Sequence, residues 1–342
     1  MKVFFSAIQD RHHTQRFVRH GVIVPTRDTP ARANMALNAL CEAGHVVGQA
    51  RWHGMAPIAA IHTPDYLDFL RTAWTEWRRI DGAAAEVTPY IFPARGRVNG
   101  YPSSVEGRAG YHMHDLWAPI GEHSYEVAVA SANLAVEAAE QVMAGERAAY
   151  ALCRPSGHHA FADMAGGNCF LNNAAIAAQH LRRQYRRVAL VDLDVHHGNG
   201  TQEIFYARND VLFASVHRDP IDYYPYFVGY ANERGEGAGL GCNVNLPLPA
   251  GSGDAALLDA LDEACGHIID HGAEALVVSL GVDAHEDDPT QGLSITYDGF
   301  RRAAARLAGL GLPTVLIQEG GYNEATIGRC IGSALSGFED RR

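Results

Sequence analysis

The sequence predicts an α/β fold, a parallel β-sheet flanked by helices on both faces. Short apolar runs rich in β-branched residues recur along the chain, and longer stretches with helical spacing lie between them. Polar residues able to do chemistry gather just after four of those runs, where an open parallel sheet places its ligand crevice.

The predicted strands are Val3 to Phe5, Ala149 to Cys153, Val188 to Val195, Val211 to Val216, Ala275 to Leu280 and Thr314 to Gln318. Helical spacing falls at about 31–43, 64–79, 124–144, 171–185, 254–271, 297–309 and 324–337. Thr63-Pro64 and Gly253-Asp254 read as helix starts, and Gly44, Gly145, Gly272 and Gly311 follow helices where a left-handed residue is commonly needed. The stretch from 80 to 123 lacks a period but carries Tyr90, Phe92, Tyr101, Tyr111 and Trp117, too aromatic for a solvated tail. A second irregular stretch, 219–241, holds Tyr223, Tyr224, Tyr226 and Phe227 and reads as a rim loop. With neither repeat nor linker in evidence, residues 1–342 are expected to form one domain with an irregular insertion at about 80–123.

Composition narrows the function. A hydrophobic share of 47% suits a sizeable core, and no window approaches the 18 apolar residues of a membrane span. A net charge of -11 repels nucleic acid on average and favours small cationic partners. The six cysteines are widely spaced without a CxxC pair and read as reduced thiols. Met1 to Ala7 lacks the pattern of a secretory leader, so a cytoplasmic location is expected.

The four strand ends carry Arg154-Pro-Ser-Gly-His158-His159, Asp192-Leu-Asp194-Val-His196-His197-Gly-Asn199, Gly-Val-Asp283 and Glu319-Gly-Gly-Tyr322. In extended geometry Asp192, Asp194 and His196 share one face, with Leu193 and Val195 on the other. Two carboxylates beside an imidazole at a buried strand end repel one another unless a cation compensates. A divalent metal held by three protein ligands of the Asp/His/Asp kind, with Asp283 supplied by another strand, would keep one coordination position open, as a catalytic zinc site requires, and the oxygen-rich set also suits Fe²⁺, Co²⁺ or Mn²⁺. Ser156 and Ser215 lack a GxSxG elbow, and the glycine pairs match no phosphate loop.

These segments, together with Ile61-His-Thr-Pro-Asp-Tyr-Leu near the start, resemble the signatures of the histone deacetylase family over almost the whole chain. The resemblance implies the arginase/deacetylase-like fold and one Zn²⁺ per chain held by Asp194, His196 and Asp283. It makes His159 the general base and acid, His158 its electrostatic partner and Tyr322 the oxyanion donor. Asp192 would hold His158 and, with Ser215, help bind a structural K⁺, while Asn199 stands beside His159 where some members have Asp. A neutral amide raises imidazole basicity less than a carboxylate, so His159 is expected to be neutral at pH 7.

The 80–123 stretch is similar to an insertion in the acetylpolyamine branch of the family, where it supports a dimer and narrows the entrance. That resemblance implies a small cationic acetylated amine as substrate, a homodimer, and substrate contacts from Glu106, Trp117, Asn168 and Phe227. Trp117 and Asn168 depart from the branch, which has an acidic residue and an aromatic one there. The alternatives are a protein acetyl-lysine deacetylase, a binuclear manganese ureohydrolase suggested by Ser279-Leu-Gly-Val-Asp283, and a scaffold without catalysis.

Overall fold

The computed structural model describes residues 1–94 and 96–340. Among these the strands are β1 (Lys2–Phe4), β2 (Phe17–Arg19), β3 (Val22–Val24), β4 (Val46–Gly48), β5 (Ala148–Ala151), β6 (Val188–Asp192), β7 (Val211–Arg218), β8 (Asn243–Leu248), β9 (Ala275–Leu280) and β10 (Thr314–Gln318). The helices are α1 (Pro30–Glu42), α2 (Ala56–Ala59), α3 (Pro64–Trp77), α4 (Val105–His112), α5 (Ser124–Met143), α6 (Asn173–Leu181), α7 (Asn199–Phe205), α8 (Asp254–His271), α9 (Tyr297–Ala308) and α10 (Ile327–Glu339).

Eight strands form one sheet in the order β4-β1-β5-β10-β9-β6-β7-β8. Every neighbouring pair in it is parallel. Side chains alternate between the two faces: Ala149, Ala151, Val188 and Leu190 join the apolar layer under α3, α5 and α6. Ala148, Tyr150, Ala189 and Val191 join the layer under α1, α8, α9 and α10. Two covered faces explain why these strands are continuous apolar runs. The four strand ends singled out in the sequence, those of β5, β10, β9 and β6, are consecutive neighbours at the centre of the sheet.

The expected glycine stops are in place, with φ of 81° at Gly44, 105° at Gly145, 69° at Gly272 and 71° at Gly311. Pro64 and Asp254 open α3 and α8 as expected. The elements β2, β3, β4, β8, α2, α4 and α7 escape the apolar-run and helical-spacing criteria. Edge strand β8 alternates Asn243 and Asn245 with apolar residues and tolerates Pro247 because one side of it is unpaired. Helix α4 lies inside the 80–123 stretch, its first turn closed by the Ser104 hydroxyl accepting from the Gly107 N–H at 3.3 Å. The hairpin β2–β3 turns through His20 (φ 52°) and Gly21 (φ 77°), the two positive angles of a tight two-residue turn.

The 80–123 stretch is tied across its base by Val87 and Ile120, whose backbones exchange hydrogen bonds of 2.9 and 3.1 Å. Tyr90, Ile91 and Tyr101 within it are exposed. No helix among the described residues is long and apolar enough to cross a membrane. All six cysteines are free; Cys153, Cys169 and Cys330 are buried, and Cys41 is exposed.

Candidate active site

Asp194 and His196 do not lie on an extended strand, because β6 ends at Asp192. Their placement comes instead from consecutive turns in which each carboxylate accepts from the N–H two residues on: Asp194 N to Asp192 Oδ1 at 3.0 Å and His196 N to Asp194 Oδ1 at 2.9 Å. The Val195 N–H donates to Asp283 Oδ1 at 3.0 Å, bringing in the end of β9. Leu193 and Val195 point into the apolar layer, as the alternation in sequence suggested.

The result is a compact donor set. Ligand atoms of Asp194, His196 and Asp283 all lie within 4.8 Å of one another. His196 Nδ1 is 3.0 Å from Asp194 Oδ1 and 3.3 Å from Asp283 Oδ2. Asp283 Oδ2 is buried and accepts no hydrogen bond among the described residues. Burial, and then the neighbouring Asp194 charge, push Asp283 up to about 7, a crowding that a divalent cation would relieve. Backbone approaches this cradle at Gly320, whose N–H donates to Asp194 Oδ2 at 2.8 Å and where a Cβ would collide with both carboxylates. Two carboxylates and one imidazole around an orphaned oxygen fit a divalent ion such as zinc.

The two histidines after β5 are buried but face different surroundings. His159 lines the cavity above the donor set, and its Nδ1 lies 2.6 Å from Asn199 Oδ1. Burial, then the charges of His158 and His196, hold its proton affinity well below that of an ordinary imidazole. His158 sits away from the cavity lining, Nδ1 3.0 Å from Asp192 Oδ2 and Nε2 3.8 Å from Asp194 Oδ1. Burial opposes its charged form, yet Asp194 and Asp192 raise it to about 10. Asp192 and Ser215 are register partners on β6 and β7, both fully buried.

Tyr322 lines the same cavity, and burial keeps its hydroxyl protonated far above the usual phenol range. Its N–H donates to Asp288 Oδ2 at 2.7 Å, and the Arg32 guanidinium lies 4.5 Å over its ring. Arg32 also donates to the carbonyls of Glu319 and Gly321 and pairs with Asp28. Asp28 in turn pairs with Arg154 at 3.0 Å; burial opposes its charge, but the two guanidiniums hold it below the usual carboxylate range. Arg154, first residue of the Arg-Pro-Ser-Gly-His-His segment, is thus a clamp that ties the segment around Gln9 and His12 to the floor of the cavity. Sequence reasoning missed Arg32 and Asp28, which gain meaning only from their long-range contacts with Gly321, Glu319 and Arg154.

The cavity has a volume of about 870 Å³. Tyr223 stacks on His196 at 5.1 Å, and Tyr224 stands edge-on to His159 at 4.9 Å, so the rim loop supplies the walls beside these two imidazoles. Asp115, not singled out in the sequence, holds that wall: its Oδ2 accepts from the Tyr224 hydroxyl at 2.6 Å and the Gly167 N–H at 3.0 Å.

Of the expected substrate contacts, Trp117 and Asn168 line the cavity and Glu106 and Phe227 do not. Trp117 stacks against Phe17 and Tyr224 and donates its indole N–H to the Val18 carbonyl at 2.7 Å. The Glu106 carboxylate accepts from the Tyr90 hydroxyl at 3.1 Å on the exposed face of the insertion, and Phe227 is 87% exposed at the loop surface. A second buried group, His158, Cys169 and Glu319, also brings ligand atoms together. The Glu319 carboxylate is already committed there, accepting from the N–H groups of Gly157 and His158 and from the Ser279 hydroxyl.

The histone deacetylase domain family matches residues 26–338. The chain is 44% identical to acetylpolyamine amidohydrolase 1 of Pseudomonas aeruginosa over 333 residues, 96% of each chain. It is 40% identical to the acetylpolyamine amidohydrolase of Mycoplana ramosa, covering 98% of this chain and 99% of that one. The crystal structure of acetylpolyamine aminohydrolase from Burkholderia pseudomallei superposes with a TM-score of 0.96 at 43% identity, covering 100% of this chain and 99% of that one.

Proposed function

The chain belongs to the histone deacetylase domain family, and from that premise we propose that it is a metal-dependent hydrolase of N-acetylated polyamines or diamines, releasing acetate and the free amine. The observation that carries this reading is the convergence of three functions on one cavity floor: the donor set of Asp194, His196 and Asp283, the neutral imidazole of His159 and the phenol of Tyr322. The names of relatives 40–44% identical over nearly their full length support acetylated polyamines as the substrate class.

A divalent ion on those three residues, Zn²⁺ first and Fe²⁺ or Co²⁺ as alternatives, supplies Lewis acidity toward the acetamide carbonyl and makes water acidic. The protein groups do the rest. With Nδ1–H given to Asn199, His159 keeps the Nε2 lone pair toward the cavity, accepts the proton of the attacking water and returns it to the departing amine. The Tyr322 hydroxyl donates to the oxyanion that develops on the acetyl carbon. His158, protonated between Asp192 and Asp194, supplies fixed positive charge behind His159.

The reading extends to a structural K⁺ near Asp192 and Ser215, a homodimer through the exposed aromatic face of the 80–123 insertion, a single catalytic unit spanning 1–342 and a cytoplasmic location. A ureohydrolase would need a second metal, and the nearby Asp288 carboxylate is committed to Tyr322 and Thr290. Initial rates with N-acetylputrescine and with an acetyl-lysine peptide test the substrate class. Higher kcat/KM for the diamine is expected; a peptide cleaved more efficiently would make the protein-deacetylase reading the better one.

A further inference from the structure

The charge at the mouth of the cavity runs against the charge of the chain. The protein carries a net -11, yet the residues lining this cavity include Arg19, Arg27 and Arg218 against one carboxylate, Asp222. Asp222 is already bound to Arg218 Nη2 at 3.2 Å. Asp115, which braces the wall at Tyr224, is spent on the Trp117 and Gly167 N–H groups and the Tyr224 hydroxyl. Among the described residues, no carboxylate lining the cavity is therefore left without an arginine partner.

The three guanidiniums are built into the rim. Arg218 closes β7, stacks 4.3 Å over Tyr223, the ring that covers His196, and donates to the Gln291 carbonyl, while its Nε is buried with no hydrogen-bond partner among the described residues. Arg27 donates to the Pro289 carbonyl at 2.8 Å and forms no ion pair among the described residues. Arg19 ends β2 at the hairpin turn, is exposed, and forms no ion pair there either. The hairpin that carries it is fixed over the cavity by the Trp117 to Val18 hydrogen bond and the Phe17–Trp117 stack. At about 0.1 M salt the screening length is roughly 10 Å, so charges around one mouth act together on a ligand that passes it.

We propose that this rim is an anion-reading subsite, so that the protein also hydrolyses N-acetylated amines whose far end carries a carboxylate, such as acetylated ω-amino acids. The inference rests on the reading that the floor of the cavity hydrolyses acetamides. In each turnover the acetyl C–N bond is cleaved by water, whose oxygen enters acetate while the amine nitrogen gains a proton. The carboxylate stays outside, taking charge-assisted hydrogen bonds from Arg19 and Arg27, with the Arg218 guanidinium lining the same mouth.

A matched series on one five-carbon tether tests it: 6-acetamidohexanoate, N-pentylacetamide and N-acetylcadaverine, each assayed by acetate release with the metal-loaded protein. The carboxylate is expected to exceed the neutral amide in kcat/KM by roughly 5- to 10-fold at low salt, mostly through KM. That ratio should shrink as salt rises and fall several-fold in Arg19→Gln and Arg27→Gln. A carboxylate cleaved no better than the neutral amide, or a ratio unchanged in both variants, overturns the anion subsite even if N-acetylcadaverine is cleaved well. Acetate release from none of the three would instead remove the deacetylase reading on which the inference rests.

Discussion

The imidazole of His159 is held at Nδ1 by the side-chain oxygen of Asn199, 2.6 Å away, so the group that faces the cavity leans on a neutral amide rather than a carboxylate. Burial and the positive charge of His158 already lower its proton affinity. A base must be unprotonated to act, so activity is present above its pKa and lost as pH falls through it. The acid limb of kcat/KM is expected well below the ordinary imidazole value of 6.5. Asn199→Asp places a negative charge on the ring, favours its protonated form and should move that limb to higher pH by about one unit. A pH profile of both proteins checks this; an unmoved limb would remove His159 from the role of base.

Tyr322→Phe removes one oxyanion donor while leaving the Asp288 contact, which is made by the backbone N–H. The variant should keep its metal and fold and lose roughly 10²- to 10³-fold in kcat with little change in KM. Steady-state kinetics with metal content measured alongside separate this from loss of the site.

The paired histidines should part company under substitution. His159→Ala deletes the cavity-facing base and should lower kcat by at least about 10²-fold. His158→Ala removes the charge behind it and should cost less, because His158 does not line the cavity. Comparing kcat for the two at one pH tests the division; equal losses would argue against it.

Loss of metal should follow from either chemistry or space. Asp194→Ala, His196→Ala and Asp283→Ala each remove one of three protein ligands. Gly320→Ala should do the same without touching a ligand, since its Cβ would displace the carboxylates of Asp194 and Asp283. Metal analysis of the purified variants reads the outcome directly, and full occupancy in Gly320→Ala would show that the cradle is looser than its geometry implies.

Much of this site was legible in the sequence because the sheet is parallel and covered on both faces. Its strands are apolar runs, and the polar residues just past them fall at one end by topology. Asp194, His196, Asp283, His159 and Tyr322 emerge from that rule. The detailed reason for the Asp192-x-Asp194-x-His196 spacing did not: the residues occupy turns closed by their own carboxylates, and the strand stops at Asp192. The hairpin at 17–24 escaped because its strands are three residues each, although Phe17-Val18 and Val22-Ile23 around His20-Gly21 carried the signal. Asp115 and Asp28 are invisible in sequence, since they act through Tyr224 and Arg154, partners far away along the chain. Net charge alone says nothing about a single cleft: the chain is acidic, yet Arg19, Arg27 and Arg218 line the mouth.

The most direct test of the central claim is a Zn²⁺ titration of the chelator-treated protein, with acetate and free amine from N-acetylputrescine measured together. Acetate and amine should appear in equal amounts, vanish on chelation, and recover in proportion to added metal until one ion is bound per chain. A requirement for two ions, or acetate release that survives removal of the metal, would contradict a single divalent centre built from Asp194, His196 and Asp283.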